Sequence, residues 1–299
     1  MGKTVIVFSG QGAQYPGMGK SLYENSPAAK AVFDMAESIR PGTIAQCFEG
    51  TKEELSVTIN TQPCVFAVDL AAAAAIKESG VEASAVAGFS LGEIAALAFA
   101  GIMTYEDAFR LVCKRAEFMD QAAKDNPGTM AAVMKITPEA VEELCSGFEK
   151  AYPVNYNSPA QTVVACDNSE IDELCEKVKA QKGKAVRLAV SGAFHSPFMN
   201  DAAEKLAGYL QDVTLSEPSL PVYSNYTAMP YEGDMKKLIS MQVNNPVRWQ
   251  KIVENLIADG ADRFLEAGPG KTLTSLTKKI NADVTAINIE NKEGLDALQ

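Results

Sequence analysis

Two short stretches of the chain carry residue types that can do covalent chemistry together. Gly88-Phe89-Ser90-Leu91-Gly92 fits the pattern G-x-S-x-G. In that pattern a serine on a sharp strand-to-helix turn projects its hydroxyl beyond the sheet edge, and its flanks must be small because the backbone is crowded. The N–H that follows, on Leu91, faces the same space near the positive end of the next helix, where it can stabilise an oxyanion. A serine hydroxyl needs a base, and the chain has a single histidine. Any serine–histidine mechanism must therefore use His195, in Gly192-Ala193-Phe194-His195-Ser196-Pro197. Ser196 reads as an N-cap and Pro197 as the first helical residue. An imidazole just ahead of a helix N-terminus is disfavoured as a cation and so stays available as a base. Both stretches also have a plainer reading: a serine N-cap between chance glycines, and a capping-region histidine with no task.

Arg115 is the third signal. Ala108, Leu111, Val112 and Met119 stand at helical spacing from it, while Glu117 and Asp120 do not share that face. A guanidinium pointing with an apolar stripe must find an anion. Spacing alone leaves two partners open: a protein carboxylate in a structural ion pair, or a substrate carboxylate in a bidentate clamp.

Two glycine-rich loops fail as phosphate sites. In Gly10-Gln11-Gly12-Ala13-Gln14-Tyr15 the third glycine of a dinucleotide fingerprint falls at Tyr15, and in Gly270-Lys271-Thr272 the first glycine of a P-loop falls at Leu265. They read better as tight turns at strand ends whose N–H groups can bind an oxyanion. The sequon Asn225-Tyr226-Thr227 has no meaning without secretion.

These residues need a frame to hold them. The chain has 299 residues, 47% apolar and 22% charged, with 27 basic and 38 acidic side chains and a net charge of −11. That composition excludes disorder and collagen-like structure, and the negative charge argues against nucleic acid as a partner. Six cysteines without a C-x-x-C pair read as reduced thiols in a cytoplasmic protein, with no metal site and no disulfide frame. No charged start, long apolar stretch and cleavage site precede the first strand, so no secretory leader is expected. The longest apolar run, 65–76, is interrupted by Asp69 and is too short to span a bilayer.

Residues 4–9 and 83–89 read as strands, and 67–79, 91–100 and 104–124 as helices, the last begun by Thr104 and Asp107. Such alternation favours a parallel sheet covered by helices. The character changes at Asn126-Pro127-Gly128. Strand 129–136, helix 138–149, strands 152–157 and 161–166, helix 170–181 and strand 185–191 give the order β-α-β-β-α-β, the ferredoxin-like pattern. Helix 197–210, strand 222–225, helix 247–259 and strands 263–266 and 284–289 then resume the first alternation. The economical organisation is a discontinuous large α/β domain, 1–126 and 193–299, carrying an inserted small subdomain, 127–192.

Gly10-Gln11-Gly12-Ala13-Gln14, the elbow from Gly88 to Glu93, Arg115, the Gly-Ala-Phe-His segment, Asn244-Asn245-Pro246-Val247-Arg248-Trp249 and Gly268-Pro269-Gly270 occur in that order. With them the chain resembles, over essentially its full length, the malonyl-CoA:acyl carrier protein transacylases of fatty acid and polyketide synthesis. The resemblance implies an α/β-hydrolase-like core with a parallel sheet and an inserted ferredoxin-like subdomain. It implies Ser90 as acyl-accepting nucleophile, His195 as its base, the N–H groups of Gln11 and Leu91 as oxyanion hole, and Arg115 on the malonyl carboxylate. Gln242 matches the residue whose main-chain carbonyl orients the histidine in place of a triad acid. Asn157 and Phe194 match pocket residues, Phe194 in a segment type that goes with malonyl selection. Phe89 departs from the family, which usually has histidine immediately before the nucleophile.

The implied reaction is ping-pong. Malonyl-CoA acylates Ser90, and the pantetheine thiol of acyl carrier protein takes the malonyl group. No cofactor is expected, because the CoA thioester and the phosphopantetheine come with the substrates. The protein is expected to act as a monomer without nucleic acid or membrane. Against an acidic carrier protein, a chain of net charge −11 needs a local basic patch. Lys182, Lys184, Arg187, Arg248, Lys271, Lys278 and Lys279 are its candidates. A polyketide-type acyltransferase, a serine thioesterase or hydrolase, and a non-catalytic carrier-binding module are the alternatives.

Overall fold

The computed structural model describes residues 2–298; Met1 and Gln299, the outer ends of the expected large domain, lie outside the described residues. Among the described residues there are nine strands: β1 (Lys3–Phe8), β2 (Ala85–Gly88), β3 (Gly128–Met134), β4 (Ala151–Ser158), β5 (Gln161–Asp167), β6 (Lys184–Arg187), β7 (Val222–Tyr223), β8 (Ala261–Ala267) and β9 (Thr285–Ile289). They form two sheets. The first has the order β7-β2-β1-β8-β9, and every pair in it is parallel. The second has the order β4-β5-β3-β6 and is antiparallel. With helices after its first and third strands, the second sheet has the ferredoxin-like arrangement read from the element order.

The central place of β1 follows from its sequence. Successive side chains of a strand point to opposite faces. Val5 and Val7 join a core with Trp249, Ile252 and Phe264, whereas Ile6 and Phe8 join one with Leu70, Ile94 and Leu97. A strand that is apolar on both faces is stable only where helices cover both, in the middle of a parallel sheet. The second sheet alternates in the same way. Ala131, Val133 and Val164 meet Val141, Leu144, Leu174 and Val178 of the helices Pro138–Cys145 and Ile171–Ala180, while Met130, Ala132 and Val163 join the main core. The two sheets are tied through β4: the Val247 N–H donates to Val154 O at 2.8 Å, and the Tyr156 N–H to Val247 O at 2.9 Å. That tie lies just ahead of the Trp249–Ala258 helix.

The structure departs from the sequence reading at informative places. The apolar run is part of a 21-residue helix, Thr58–Glu78, that continues through Pro63 and buries sixteen of its residues. It is long enough to cross a membrane, and 83% of its most apolar window is buried inside the protein. Its start was hidden because a proline reads as a helix boundary, and because a helix buried all round has no polar stripe. Helices Lys20–Asn25, Pro27–Ile39, Thr43–Glu49 and Lys52–Ser56, absent from the sequence reading, fill the connection between β1 and that helix. The expected strand 185–191 pairs only as β6, after which the chain leaves the sheet and lines a cavity. The expected helix 197–210 begins as a 3-10 turn, Pro197–Met199, before the helix Asn200–Leu210.

Candidate active site

Ser90 joins β2 to the Leu91–Phe99 helix with φ 54° and ψ −105°, a strained conformation for a residue with a side chain. The two glycines around it are required by close approach. A Cβ on Gly88 would sit 1.9 Å from the carbonyl carbon of Gly92, and one on Gly92 would sit 2.3 Å from Phe8 O. Strain of this kind persists only where the surroundings over-determine it. Here Asn225 Oδ1 accepts the Ser90 N–H at 2.7 Å, and Asn225 Nδ2 donates to Gly88 O at 2.6 Å. The turn after β1 is seated on the same elbow, since a Cβ on Gly10 would lie 2.6 Å from Phe89 O.

His195 comes to the elbow from 105 residues away. Its Nε2 lies 2.7 Å from Ser90 Oγ, and its Nδ1 lies 2.9 Å from Gln242 O. A carbonyl can only accept, so Nδ1 carries the proton and Nε2 is left to accept from the serine hydroxyl. Burial, and then the positive charge of Arg115, lower the imidazole pKa to about 4. A 3-10 turn, Pro197–Met199, separates His195 from the α-helix Asn200–Leu210.

Arg115, on the Tyr105–Asp125 helix, is 1% exposed. Its Nη1 donates to Gln62 Oε1 at 2.6 Å, and its Nη2 to Gln242 Oε1 at 2.8 Å and to Ser90 Oγ at 3.1 Å. Among the described residues it forms no ion pair with a carboxylate, and its Nε has no partner. The structural ion pair allowed by the sequence is therefore not made. Desolvation lowers its pKa to about 10, which still leaves a cation at neutral pH, held by neutral amides beside the nucleophile.

Leu91 is the first residue of its helix, and its N–H, like that of Gln11, has no acceptor among the described residues. With the Ser90 N–H occupied by Asn225, free donors remain on Leu91, the next residue, and on Gln11, in the turn seated against Phe89. A cavity of about 560 Å³ adjoins the elbow, with walls that include Gln11, Phe89, Asn155, Asn157, Leu188 and Val190. Asn155 Oδ1 and Asn157 Oδ1 are buried and unpartnered. Phe89 packs edge-on to Trp249 with ring centroids 5.7 Å apart. Phe194, beside the histidine, packs with the main core.

Sequence reasoning missed four residues here. Gln62 and Asn225 hold Arg115 and the elbow, Glu93 accepts the Asn225 N–H at 2.7 Å, and the Tyr231 hydroxyl donates to Glu93. Asn225 had been seen only as a sequon, yet it is fully buried. Gln242 does more than its carbonyl suggests, since its Nε2 also donates to Ser90 O at 2.6 Å. No cluster of three metal-ligating side chains occurs among the described residues. The seven candidate basic residues are all exposed but spread over several elements, and Arg187 is paired with Asp172.

A neutral base and a buried cation converging on one nucleophilic hydroxyl, with free N–H donors on the turns of the elbow, are the parts of an acyl-transfer site with a carboxylate-reading anchor. The acyl transferase domain family model matches residues 5–291. The malonyl CoA-acyl carrier protein transacylase of Bacillus subtilis (strain 168) is 38% identical over 304 residues, covering 99% of this chain and 96% of that protein. The crystal structure of the malonyl CoA-acyl carrier protein transacylase of Clostridium perfringens ATCC 13124 superposes with a TM-score of 0.95 at 35% identity, covering 99% of this chain and 96% of that one. A malonyl-transacylase in complex with a type II polyketide synthase acyl-carrier protein aligns with a TM-score of 0.95 at 32% identity, covering 99% and 98% of the two chains. The chain thus belongs to the acyl transferase family, among the malonyl CoA-acyl carrier protein transacylases.

Proposed function

We propose that this protein transfers the malonyl group of malonyl-CoA to the pantetheine thiol of acyl carrier protein, supplying fatty acid synthesis, by way of a malonyl ester on Ser90. The observation that carries the reading is the convergence on one hydroxyl: Ser90 Oγ lies 2.7 Å from the base and 3.1 Å from a cation that has no anion of its own. His195 Nε2 takes the hydroxyl proton as Ser90 Oγ attacks the thioester carbonyl. The oxyanion rests on the N–H groups of Gln11 and Leu91 and collapses, breaking the C–S bond, and His195 returns the proton to the departing CoA thiolate. The carrier thiol then attacks the ester by the same steps in reverse.

Arg115 supplies recognition, pairing with the free carboxylate of the acyl group. The unpartnered oxygens of Asn155 and Asn157 suit the amide N–H groups of a pantetheine arm lying in the cavity. The groups that do the chemistry are all side-chain and backbone groups of this chain, so the reaction is assigned no metal and no cofactor beyond the carriers on its substrates. We assign the protein to the cytoplasm, a reading that the six free cysteines support, and as a monomer.

Intact-mass spectrometry after mixing with malonyl-CoA tests this reading. The expected result is one malonyl adduct, absent in Ser90→Ala, that disappears when holo carrier protein is added and reappears on the carrier. Release of free malonate at the same rate without the carrier would assign the protein to the hydrolases instead.

A further inference from the structure

Glu93, in the first turn of the Leu91–Phe99 helix, is fully buried behind the elbow. One carboxylate oxygen accepts the Asn225 N–H at 2.7 Å, and the other accepts the Tyr231 hydroxyl. Neither partner carries a positive charge. The cation that acts on it is Arg115, and Gln242 links the two: its Oε1 accepts Arg115 Nη2 at 2.8 Å, while its Nε2 donates at 2.6 Å to Ser90 O, the carbonyl that also accepts the Glu93 N–H at 3.1 Å. A cation and an acid thus lie buried together without an ion pair between them, and among the described residues neither pairs with any other charged side chain. Tyr231 is held well above its ordinary range and His195 falls to about 4, so both are neutral near pH 7. Burial raises Glu93 itself to about 7, opposed by its hydrogen bonds and by Arg115.

Resting on the malonyl-transfer reading, we propose that Glu93 determines acyl specificity by exchanging a proton with solvent as Arg115 is occupied, so that an acyl group bearing a carboxylate binds together with a proton and one without does not. The reason is electrostatic. In the free site an ionised Glu93 balances Arg115. A second carboxylate arriving at the guanidinium is a like charge for Glu93, in surroundings too dry to screen it, and drives it to the neutral acid. The pocket stays at net zero charge before and after, and the proton comes from solvent.

Calorimetric titration of the Ser90→Ala protein with malonyl-CoA, in pairs of buffers of different ionisation enthalpy, measures that proton without acylation. Acetyl-CoA carries the same CoA phosphates and is the control. The expected uptake specific to malonyl-CoA is about half a proton at pH 7, rising towards one by pH 8. In the native enzyme, KM for malonyl-CoA should climb by up to about tenfold per pH unit above pH 7, with no matching rise for acetyl-CoA. Glu93→Gln should flatten the malonyl profile. Equal uptake for the two thioesters, or a malonyl profile that keeps its slope in Glu93→Gln, overturns the proposal. Should Glu93→Gln fail to fold, the calorimetry decides alone, because it uses the native Glu93. Absence of a malonyl adduct on native Ser90 would instead refute the transfer reading itself, whereas acylation without proton uptake refutes only the role of Glu93.

Discussion

The elbow that carries Ser90 and the pocket that holds Arg115 share Gln242, but they are built on opposite principles. At the elbow the polar groups of the backbone are satisfied: Asn225 ties both the Ser90 N–H and Gly88 O, and Gln242 Nε2 ties Ser90 O. The fixed, strained backbone costs nothing to reorganise when the hydroxyl reacts. At Arg115 the opposite holds. A full charge is buried with hydrogen bonds only to neutral groups, its Nε unpartnered and no ion pair made among the described residues. Burying a charge without an ion-pair partner is costly, and an arriving carboxylate supplies that partner. The contrast teaches that the nucleophile stands on a backbone tied down beforehand, while selection falls to a cation left without an ion-pair partner.

The sharpest way to break the comparison is to remove the chemistry alone. Ser90→Ala and His195→Ala should each lower kcat/KM by about 10⁴-fold or more, and the double substitution should be little worse than either, because the pair acts as a unit. Acyl transfer measured for all three variants checks this, and additive losses would show that the 2.7 Å contact is incidental.

Arg115→Ala attacks the other side. Loss of one partner of a buried charge pair costs about 3 kcal/mol, roughly 100-fold. The loss should fall on malonyl-CoA and spare acetyl-CoA, so that the preference between the two collapses. Equal losses on both substrates would place Arg115 in the elbow's structural network and not in recognition.

Asn225→Ala should act on the elbow more gently. It leaves the Ser90 N–H and Gly88 O without their partner, a penalty of about 1–3 kcal/mol, shared between stability and a kcat lowered by about tenfold. Malonyl and acetyl transfer should suffer alike, the reverse of Arg115→Ala. Thermal unfolding together with kcat on both thioesters separates the two effects.

How far the sequence reveals this contrast depends on range. Signals confined to a few neighbouring residues are legible: the alternation in β1, the crowding that demands Gly88 and Gly92, and the stripe that turns Arg115 inward. The uniqueness of His195 ties it to Ser90 across 105 residues only because the chain has no other candidate. Gln62, Asn225 and Tyr231 leave no such mark. An amide or phenol gains its role from what it faces, and each faces a segment at least 53 residues away. Pro63 misled for a different reason: tertiary burial of the Thr58–Glu78 helix outweighs the local penalty that a proline signals.

The smallest expected effect tests the coupling between the two regions. The imidazole must be neutral to act as a base, and its pKa of about 4 places the acid limb of kcat/KM there. Burial is the larger cause of the lowering and the charge of Arg115 the smaller. With acetyl-CoA, which does not use the guanidinium, Arg115→Ala should therefore move the acid limb upward but keep it below about 6.5, the ordinary value for imidazole. The folded state binds that proton less readily than the unfolded chain. His195 therefore costs stability as pH falls from about 6.5 towards 4, and rates are best taken at once after dilution from pH 7. A limb that stays in place would show that Arg115 and His195 meet at Ser90 without sensing each other's charge.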